Sequence, residues 1–203
     1  MNLRPMGDSA LLVETRDSTE AQSLRRALLA ESPAGVVQLV PGHRSLLVVT
    51  DPLVTDLGAL AIRLPELLRT PAPARAAKSH EVPVSYGGED LDSAAKLLGM
   101  PAEEVVRRHS AAIYTVAFLG FAPGFPYLTG LDPKLEMPRL ATPRTRSPEG
   151  AVAVAGEFTG VYPQATPGGW RVLGRTDLKL FDAARESPAL FAPGDQVRFK
   201  VLP

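Results

Sequence analysis

The spacing of hydrophobic positions changes along the chain and divides it into two differently built halves. In the first half, apolar residues recur at helical spacing over 21–28 and 57–68. Shorter apolar runs predict strands, at 8–14, 36–40 and 45–50. The resulting order is strand, helix, hairpin, helix. Because each element must bury its apolar side, this order predicts a small α+β sandwich with helices on one face of an antiparallel sheet.

Local signals predict where the two helices begin. Asp17 stands three residues before Glu20, which is the spacing of a helix N-terminal cap. Asp51 followed by Pro52 predicts the start of the second helix, with the proline at the first helical position. Pro65 lies inside the second apolar stripe and is expected to kink that helix or to restart it.

The second half opens with a strand and two short helices and then loses helical periodicity. A strand is predicted at 81–86 and a helix at 91–98, with Gly99 after it. Another helix begins at Pro101 and holds His109 in its last turn. Beyond that helix, short apolar runs lie among turn signals, at 113–118, 151–155, 170–173 and 196–201. This pattern predicts a closed or nearly closed antiparallel β-barrel.

A stretch rich in proline and alanine, without large apolar residues, separates the two halves at 70–79. Such a composition is typical of a linker between domains. We therefore predict a small α+β domain at 1–72, a linker at 73–80 and a β-barrel domain at 81–203. His80 would then lie in the linker and be exposed.

Composition and charge narrow the function classes. The 22 Lys and Arg residues balance the 22 Asp and Glu residues, so nucleic acid is not an expected partner. Cysteine is absent, which excludes disulfides and thiol nucleophiles, and the three histidines are too far apart in sequence to suggest a metal site. The N-terminal segment lacks the features of a signal peptide, and no apolar run is long enough to span a bilayer. We therefore expect a cytoplasmic protein without membrane association.

Three clusters rich in glycine and proline stand out in the second half, at 120–127, 138–144 and 167–176. Glycine reaches backbone conformations that are closed to other residues, and proline fixes φ, so the clusters predict rigid, shaped loops. From spacing alone, ordinary turns of a β-rich domain are an equally good interpretation. Five arginines fall among the clusters, namely Arg139, Arg144, Arg146, Arg171 and Arg175.

Arginine is the most promising functional residue type in these clusters. Its planar guanidinium matches a carboxylate or a phosphate, and several arginines would converge on one anion if the loops shared one rim of the barrel. In the alternative interpretation, each arginine is solvated or pairs with a carboxylate nearby in the sequence, at Asp132, Glu136, Glu149 or Glu157.

His109 and three aromatic residues also have two interpretations each. His109, at a predicted helix end, caps backbone carbonyls, or it carries a proton or binds an anion, since histidine titrates near neutrality. Tyr127, Tyr162 and Trp170 pack in the core or at the barrel rim, or they anchor an interface. The sequence contains neither a phosphate-binding GxxxxGK[ST] loop nor a GxSxG nucleophile motif.

Taken together, the clusters resemble one protein family. The carrying motifs include GFAPGFPYL at 120–128, PR at 138–139, PR at 143–144, YP at 162–163, PGGW at 167–170 and GRT at 174–176. Two further segments match, at 150–156 and 193–199. The sequence is identified as a member of the family of the 5-oxoprolinase B subunit, also called allophanate hydrolase subunit 1, over essentially the whole chain. That family includes a histidine-kinase inhibitor of sporulating bacteria and the corresponding segment of urea carboxylase.

The resemblance implies a fold, an activity and partners. The fold is an N-terminal α+β domain followed by a cyclophilin-like β-barrel. The activity is that of the B subunit of an ATP-dependent 5-oxoprolinase, which opens 5-oxo-L-proline to L-glutamate together with the C and A subunits and is inactive alone. ATP with Mg²⁺ would act in the assembled complex, with no cofactor bound tightly by this chain alone. The alternatives are an inhibitor of a sensor histidine kinase and a component of an allophanate hydrolase or a urea carboxylase-like enzyme.

Of these activities, allophanate hydrolysis is less favoured than 5-oxoproline ring opening, because the chain has no serine-amidase signature. A site shared with the C subunit would explain why the chain offers few acid–base residues. The candidate catalytic residues are His109, Arg139, Arg144 and Arg175. The loop residues expected to bind substrate or an anion are Gly120, Phe121, Pro123, Gly124, Tyr127, Tyr162, Pro167, Gly168, Gly169 and Trp170. No metal ligand is predicted.

Overall fold

The computed structural model describes residues 2–69 and 76–203, and its contacts divide the chain into two units, Met1–Ala76 and Ala77–Pro203. Part of the predicted linker, 73–75, lies outside the described residues. A strand begins at Ser79, so Ser79 and His80 belong to the second unit's sheet rather than to a linker. The domain boundaries drawn from the sequence stay a prediction.

The first unit is a four-stranded antiparallel sheet with two helices. Its elements are β1 (Asn2–Pro5), β2 (Ala10–Glu14), α1 (Ser18–Glu31), β3 (Val36–Pro41), β4 (Ser45–Thr50) and α2 (Leu57–Arg69). The strands lie in the order β1-β2-β4-β3. Val13 pairs with Leu46 and Leu11 with Val48, and these four side chains share one buried cluster with leucines of both helices. The predicted order is therefore confirmed, with β1 added before it.

The two helices of this unit differ in how well their starts were predicted. The Asp17 carboxylate accepts a hydrogen bond from the Glu20 N–H at 2.8 Å, as the spacing predicted. The prediction that Asp51 and Pro52 open the second helix is wrong, because the Asp51 carboxylate instead closes a turn two residues on. The helix begins at Leu57, where Asp56 accepts from the N–H groups of its first turn. Pro65 lies inside this helix and does not restart it.

The second unit is built from nine strands and three helical segments. Its elements are β5 (Ser79–Tyr86), α3 (Leu91–Leu98), α4 (Ala102–Ala111), β6 (Tyr114–Leu119), β7 (Pro126–Thr129), a 3₁₀ turn (Pro133–Leu135), β8 (Arg144–Ser147), β9 (Ala151–Ala155), β10 (Phe158–Val161), β11 (Thr166–Gly168), β12 (Arg171–Arg175) and β13 (Gln196–Val201). Seven strands close into a barrel in the order β10-β7-β6-β13-β5-β12-β9, and β8 pairs with β11 outside it. The predicted closed barrel is thus confirmed.

The prediction of a purely antiparallel barrel is wrong at one pair. Strand β13 runs parallel to β5, from Gln196 opposite Ser79 to Val201 opposite Val84. A parallel pair needs a long connection, and here nearly the whole barrel lies between the two strands. The wrong expectation came from the short turns between neighbouring strands, which say nothing about how the first and last strands meet.

Strand β9 shows where the two hydrophobic layers of this unit lie. All five of its residues are buried, although successive side chains of a strand point to opposite faces. Val152 and Val154 belong to the main core cluster of the barrel. Ala151, Ala153 and Ala155 belong to a second cluster, which contains Phe125, Tyr162 and Trp170. The barrel therefore has a covered apolar patch on the outside of its wall.

No helix in the described part of the chain is long and apolar enough to cross a membrane.

Candidate functional site

The three clusters rich in glycine and proline meet on the outer face of the barrel, around one network of seven aromatic rings. Phe125 lies edge-on to Tyr162 at a centroid distance of 5.1 Å and to Trp170 at 5.2 Å. Tyr127 lies 5.5 Å from Trp170. The other rings in contact with this group are Phe118, Phe121 and Phe158. Close packing of this kind holds the loops in one arrangement.

The first cluster displays one exposed ring on a tight turn. The Ala122 N–H donates to the Gly120 carbonyl at 2.8 Å, and the residue between them, Phe121, has a φ of +69°. A positive φ is costly for a residue with a Cβ, and such strain concentrates at functional positions. Phe121 is also 61% exposed, while its ring lies edge-on to buried Phe125 at a centroid distance of 5.3 Å. The turn therefore presents an aromatic ring to solvent at a backbone cost.

The second and third clusters are joined to each other by hydrogen bonds. The Leu140 N–H donates to the Gly169 carbonyl at 2.8 Å, and Arg171 Nε donates to the Pro138 carbonyl at 3.0 Å. Strands β8 and β11 add backbone pairing between the same segments. The structure thus brings all three clusters to one surface, as expected if the loops are rigid and shaped.

The loop residues predicted to bind substrate or an anion differ in accessibility. Those that are exposed or half-buried are Gly120, Phe121, Pro123, Tyr127, Pro167 and Gly168. The fully buried ones are Gly124, Tyr162, Gly169 and Trp170. The buried ones shape the surface, whereas the accessible ones are able to touch a ligand.

Tyr162 is held in a close-fitting environment under this surface. Burial raises the pKa of its hydroxyl. Gly168 faces this hydroxyl. A Cβ added there would overlap the Tyr162 hydroxyl and lie 2.9 Å from Ser147 Oγ. The absence of a side chain at residue 168 therefore makes room for the tyrosine.

Replacing Gly168 with alanine is expected to destabilise the barrel by about 1 to 3 kcal/mol, because the buried Tyr162 ring must shift. Gly169→Ala is the matched control, since its nearest neighbours would be 3.7 Å away, an ordinary contact distance. Denaturant unfolding of both variants, followed by fluorescence of the single tryptophan Trp170, measures the difference. Equal losses at the two positions would contradict a fit between Gly168 and Tyr162.

The arginines predicted to be catalytic have different surroundings. Arg144 is paired with two carboxylates, at 3.0 Å from Glu89 and closer still to Asp90. These are not the carboxylates that the sequence suggested, and they lie 55 and 54 residues away along the chain. Arg175 stands at the far end of β12 from Arg171, with a side chain 63% exposed. Arg139 is exposed and has no partner among the described residues.

Asp90 is a residue whose role the sequence did not reveal. It is 6% exposed, and its two carboxylate oxygens bond to the Arg144 guanidinium and to the Val172 N–H, the latter at 2.7 Å. It therefore joins the start of α3 to strand β12 and to the second cluster. A pairing across such a distance leaves no local signal in the sequence.

His109 lies inside the barrel and is 0% exposed. Both of its ring nitrogens bond to side chains, so the interpretation that the ring caps helix carbonyls is wrong. Its Nδ1 lies 2.7 Å from the Tyr86 hydroxyl and its Nε2 lies 2.8 Å from Thr159 Oγ1. Because the Thr159 hydroxyl donates to the Ala153 carbonyl, it accepts from Nε2–H, and Nδ1 accepts from Tyr86. The ring also stacks on Phe199 at 4.7 Å.

Burial lowers the pKa of His109 to about 3, so the ring does not titrate near neutrality. The basis for a proton carrier at this position is therefore lost. Its predicted catalytic role stays a prediction, while its contacts are those of a satisfied core residue.

His80 is likewise not the exposed linker residue that the sequence suggested. Its Nε2 lies 3.1 Å from the Asp195 carboxylate, and its ring meets Phe191 edge-on at 5.0 Å. Asp195 also accepts from the N–H groups of Lys78 and Ala192. These bonds to Asp195 hold the start of β5 beside the start of β13.

In residues 2–69 and 76–203, no group of three or more His, Cys, Asp or Glu side chains is placed to hold a metal ion.

A closed barrel with an aromatic, arginine-bearing outer face places this protein in the class of β-barrel proteins with shaped surface loops. Within that class, residues 1–191 match the family model described as carboxyltransferase domain, subdomain C and D, and the chain belongs to this family. The resemblance found in the sequence is confirmed by the relatives.

A curated relative, the 5-oxoprolinase B subunit of Haemophilus influenzae, is 39% identical over 209 residues, which cover 99% of this chain and 98% of the relative. The crystal structure of the protein TTHA0988 is 38% identical with a TM-score of 0.84 over 96% of this chain, which spans only 40% of that longer protein. The Kluyveromyces lactis urea amidolyase shares the fold, at 22% identity and a TM-score of 0.81, over 98% of this chain and 15% of its own.

Proposed function

We propose that this protein is the B subunit of an ATP-dependent 5-oxoprolinase, which opens 5-oxo-L-proline to L-glutamate and is active only with the C and A subunits. The observation that carries the proposal is the match to a 5-oxoprolinase B subunit over 99% of this chain and 98% of the relative. The proposal includes a cytoplasmic location and a two-domain build, with an α+β domain at 1–72 and a cyclophilin-like barrel at 81–203.

The chemistry of the outer face supports the need for partner proteins. The surface offers the exposed guanidinium of Arg139, which suits an anion. Its tyrosines do not exchange a proton near neutrality, because burial raises the pKa values of Tyr127 and Tyr162. His109, whose pKa burial lowers, lies inside the barrel and away from this face. Opening a lactam requires proton transfers, so the missing acid and base are expected from the C subunit. The outer face is then one half of a shared site.

The residues of this chain do not fit Mg²⁺·ATP by themselves. Magnesium prefers carboxylate oxygens, and the described residues contain no cluster of acidic side chains that would hold it. Two acids beside the second cluster, Glu89 and Asp90, already pair with Arg144. The nucleotide is therefore expected to bind in the assembled complex.

The test is to purify this chain with the C and A subunits of a 5-oxoprolinase from the same organism and to measure ATP hydrolysis that depends on 5-oxo-L-proline. The complete mixture is expected to be active, and this chain alone is expected to be inactive. A mixture that assembles but does not turn over 5-oxo-L-proline would contradict the proposal. Turnover of urea or allophanate by that mixture would favour the alternative, for which a yeast urea amidolyase 32% identical over 54% of this chain is the supporting observation.

A further inference from the structure

Among the three arginines predicted to be catalytic, Arg139 alone keeps a guanidinium that no described side chain neutralises. Arg144 is bonded to Glu89, to Asp90 and to the Trp170 carbonyl. Its charge is therefore already neutralised, and its bonds hold the loops together. Arg175 lies at the other end of β12, with Asp177 at 3.7 Å. An exposed guanidinium without a carboxylate is free to bind an anion from outside the chain.

The backbone on both sides of Arg139 is fixed. The carbonyl of Pro138 accepts from Arg171 Nε at 3.0 Å, and the N–H of Leu140 donates to the Gly169 carbonyl at 2.8 Å. A Cβ built at Gly169 would lie 3.7 Å from the Cβ of Arg139, so the two segments are in ordinary van der Waals contact. The backbone of Arg139 is therefore preorganised, so binding a ligand orders only the side chain.

The neighbourhood of this guanidinium is aromatic rather than acidic. Its charge lowers the pKa of both Tyr127 and Tyr162, opposing the rise that burial causes. Tyr127 is half-buried, and its ring belongs to the same network as exposed Phe121. A cation beside an apolar aromatic wall suits a small ring that carries one negative group.

We propose that Arg139 binds the carboxylate of the lactam substrate and thereby selects 5-oxo-L-proline over the same ring without a carboxylate. The inference rests on the proposed function and assigns one substrate contact to this protein. Arg144 is instead a structural residue, and Arg175 takes no part in this contact. The amide bond of the substrate would then face the C subunit, where the acid and base are expected.

The test compares Arg139→Ala with wild type in the assembled complex, using 5-oxo-L-proline and 2-pyrrolidinone, the corresponding lactam without a carboxylate. The variant is expected to lose about 10- to 100-fold in kcat/KM for 5-oxo-L-proline through KM, which is the worth of one charge-assisted hydrogen-bonded contact. The KM for ATP and the inhibition constant of 2-pyrrolidinone are expected to stay unchanged. Arg139→Lys is expected to recover part of the loss, because it restores the charge without the planar fork.

The matched control is Arg198→Ala, which removes another exposed arginine, on β13, and is expected to behave as wild type. A rise in the KM for ATP would mean that Arg139 binds phosphate, and loss of co-purification with the C subunit would mean that it binds the partner. Either result overturns the inference, as does wild-type kinetics of Arg139→Ala in an active complex. An inactive wild-type complex overturns the proposed function as well, so the two failures are distinguishable.

Discussion

Replacing Gly150 with alanine is expected to destabilise the barrel by about 2 to 5 kcal/mol, combining a conformational and a steric cost. Gly150 has a φ of +78°, a region that costs an L-residue about 1 to 2 kcal/mol. A Cβ there would overlap the Thr176 carbonyl oxygen and lie 3.1 Å from its carbon, and neither atom can rotate away. Gly150 also donates to the Tyr162 carbonyl at 2.8 Å and accepts from the Thr176 N–H at 2.9 Å, so a shift of its backbone weakens both bonds.

Denaturant unfolding followed by the fluorescence of Trp170 measures this loss, because the single tryptophan lies in the barrel unit. The matched control is Gly156→Ala. Its φ of +56° is also left-handed, but a Cβ there would meet no atom within 4 Å. The control is therefore expected to lose only about 1 to 2 kcal/mol. If both variants lost the same free energy, the contact with Thr176 would carry no cost and the argument from close approach would be wrong.

The sequence predicted those features of the fold that depend on neighbouring residues. The Asp17 cap, the left-handed Gly99 after α3 and the hairpin of β3 and β4 each depend on a few adjacent positions, and each is confirmed. The short strands β7, β8, β10 and β11 were missed, since three or four residues give no clear alternation. The parallel β5–β13 pair was missed because strand pairing between chain ends has no local signal.

The sequence predicted which residue types form the candidate site, but it did not predict which side chains bond to one another. Glycine, proline and aromatic residues indicated where the loops lie, and the arginines indicated that these loops bind an anion. Which arginine is free depended on partners far along the chain, because Asp90 neutralises Arg144 across 54 residues. The same holds for His109, whose partner Thr159 is 50 residues away. A helix end in the sequence looks exposed until a distant strand covers it.

The contacts of His109 indicate that this residue stabilises the barrel rather than carrying a proton. Every polar atom of its ring is hydrogen-bonded in the neutral form, to Tyr86 and to Thr159. Protonation would put a charge in a fully buried site and would remove the acceptor that the Tyr86 hydroxyl needs. A buried polar network of this kind holds the barrel in one arrangement as long as all of its members stay neutral.

Acidification is therefore expected to destabilise the barrel through His109. The pKa of the ring is about 3 in the folded barrel, against an ordinary value of 6.5 in the unfolded chain, so between these values only the unfolded chain takes up the proton. The contribution is complete above about pH 6.5 and is lost as the pH falls towards 3, at roughly 1.4 kcal/mol per pH unit. Between pH 7 and pH 4.5 the loss should approach roughly 2.5 kcal/mol.

The measurement is the free energy of unfolding from Trp170 fluorescence over pH 4.5 to 7, for wild type and for His109→Gln. The variant keeps a donor and an acceptor but cannot titrate, so it should be less stable than wild type at pH 7 and should lose less on acidification. The gap between the two proteins should therefore narrow as the pH falls. His43→Gln, in the other unit, should leave the slope of the barrel unchanged. Parallel pH profiles of wild type and His109→Gln would show that His109 is not the acid-sensitive group, and carboxylates of the barrel would then account for any acid loss.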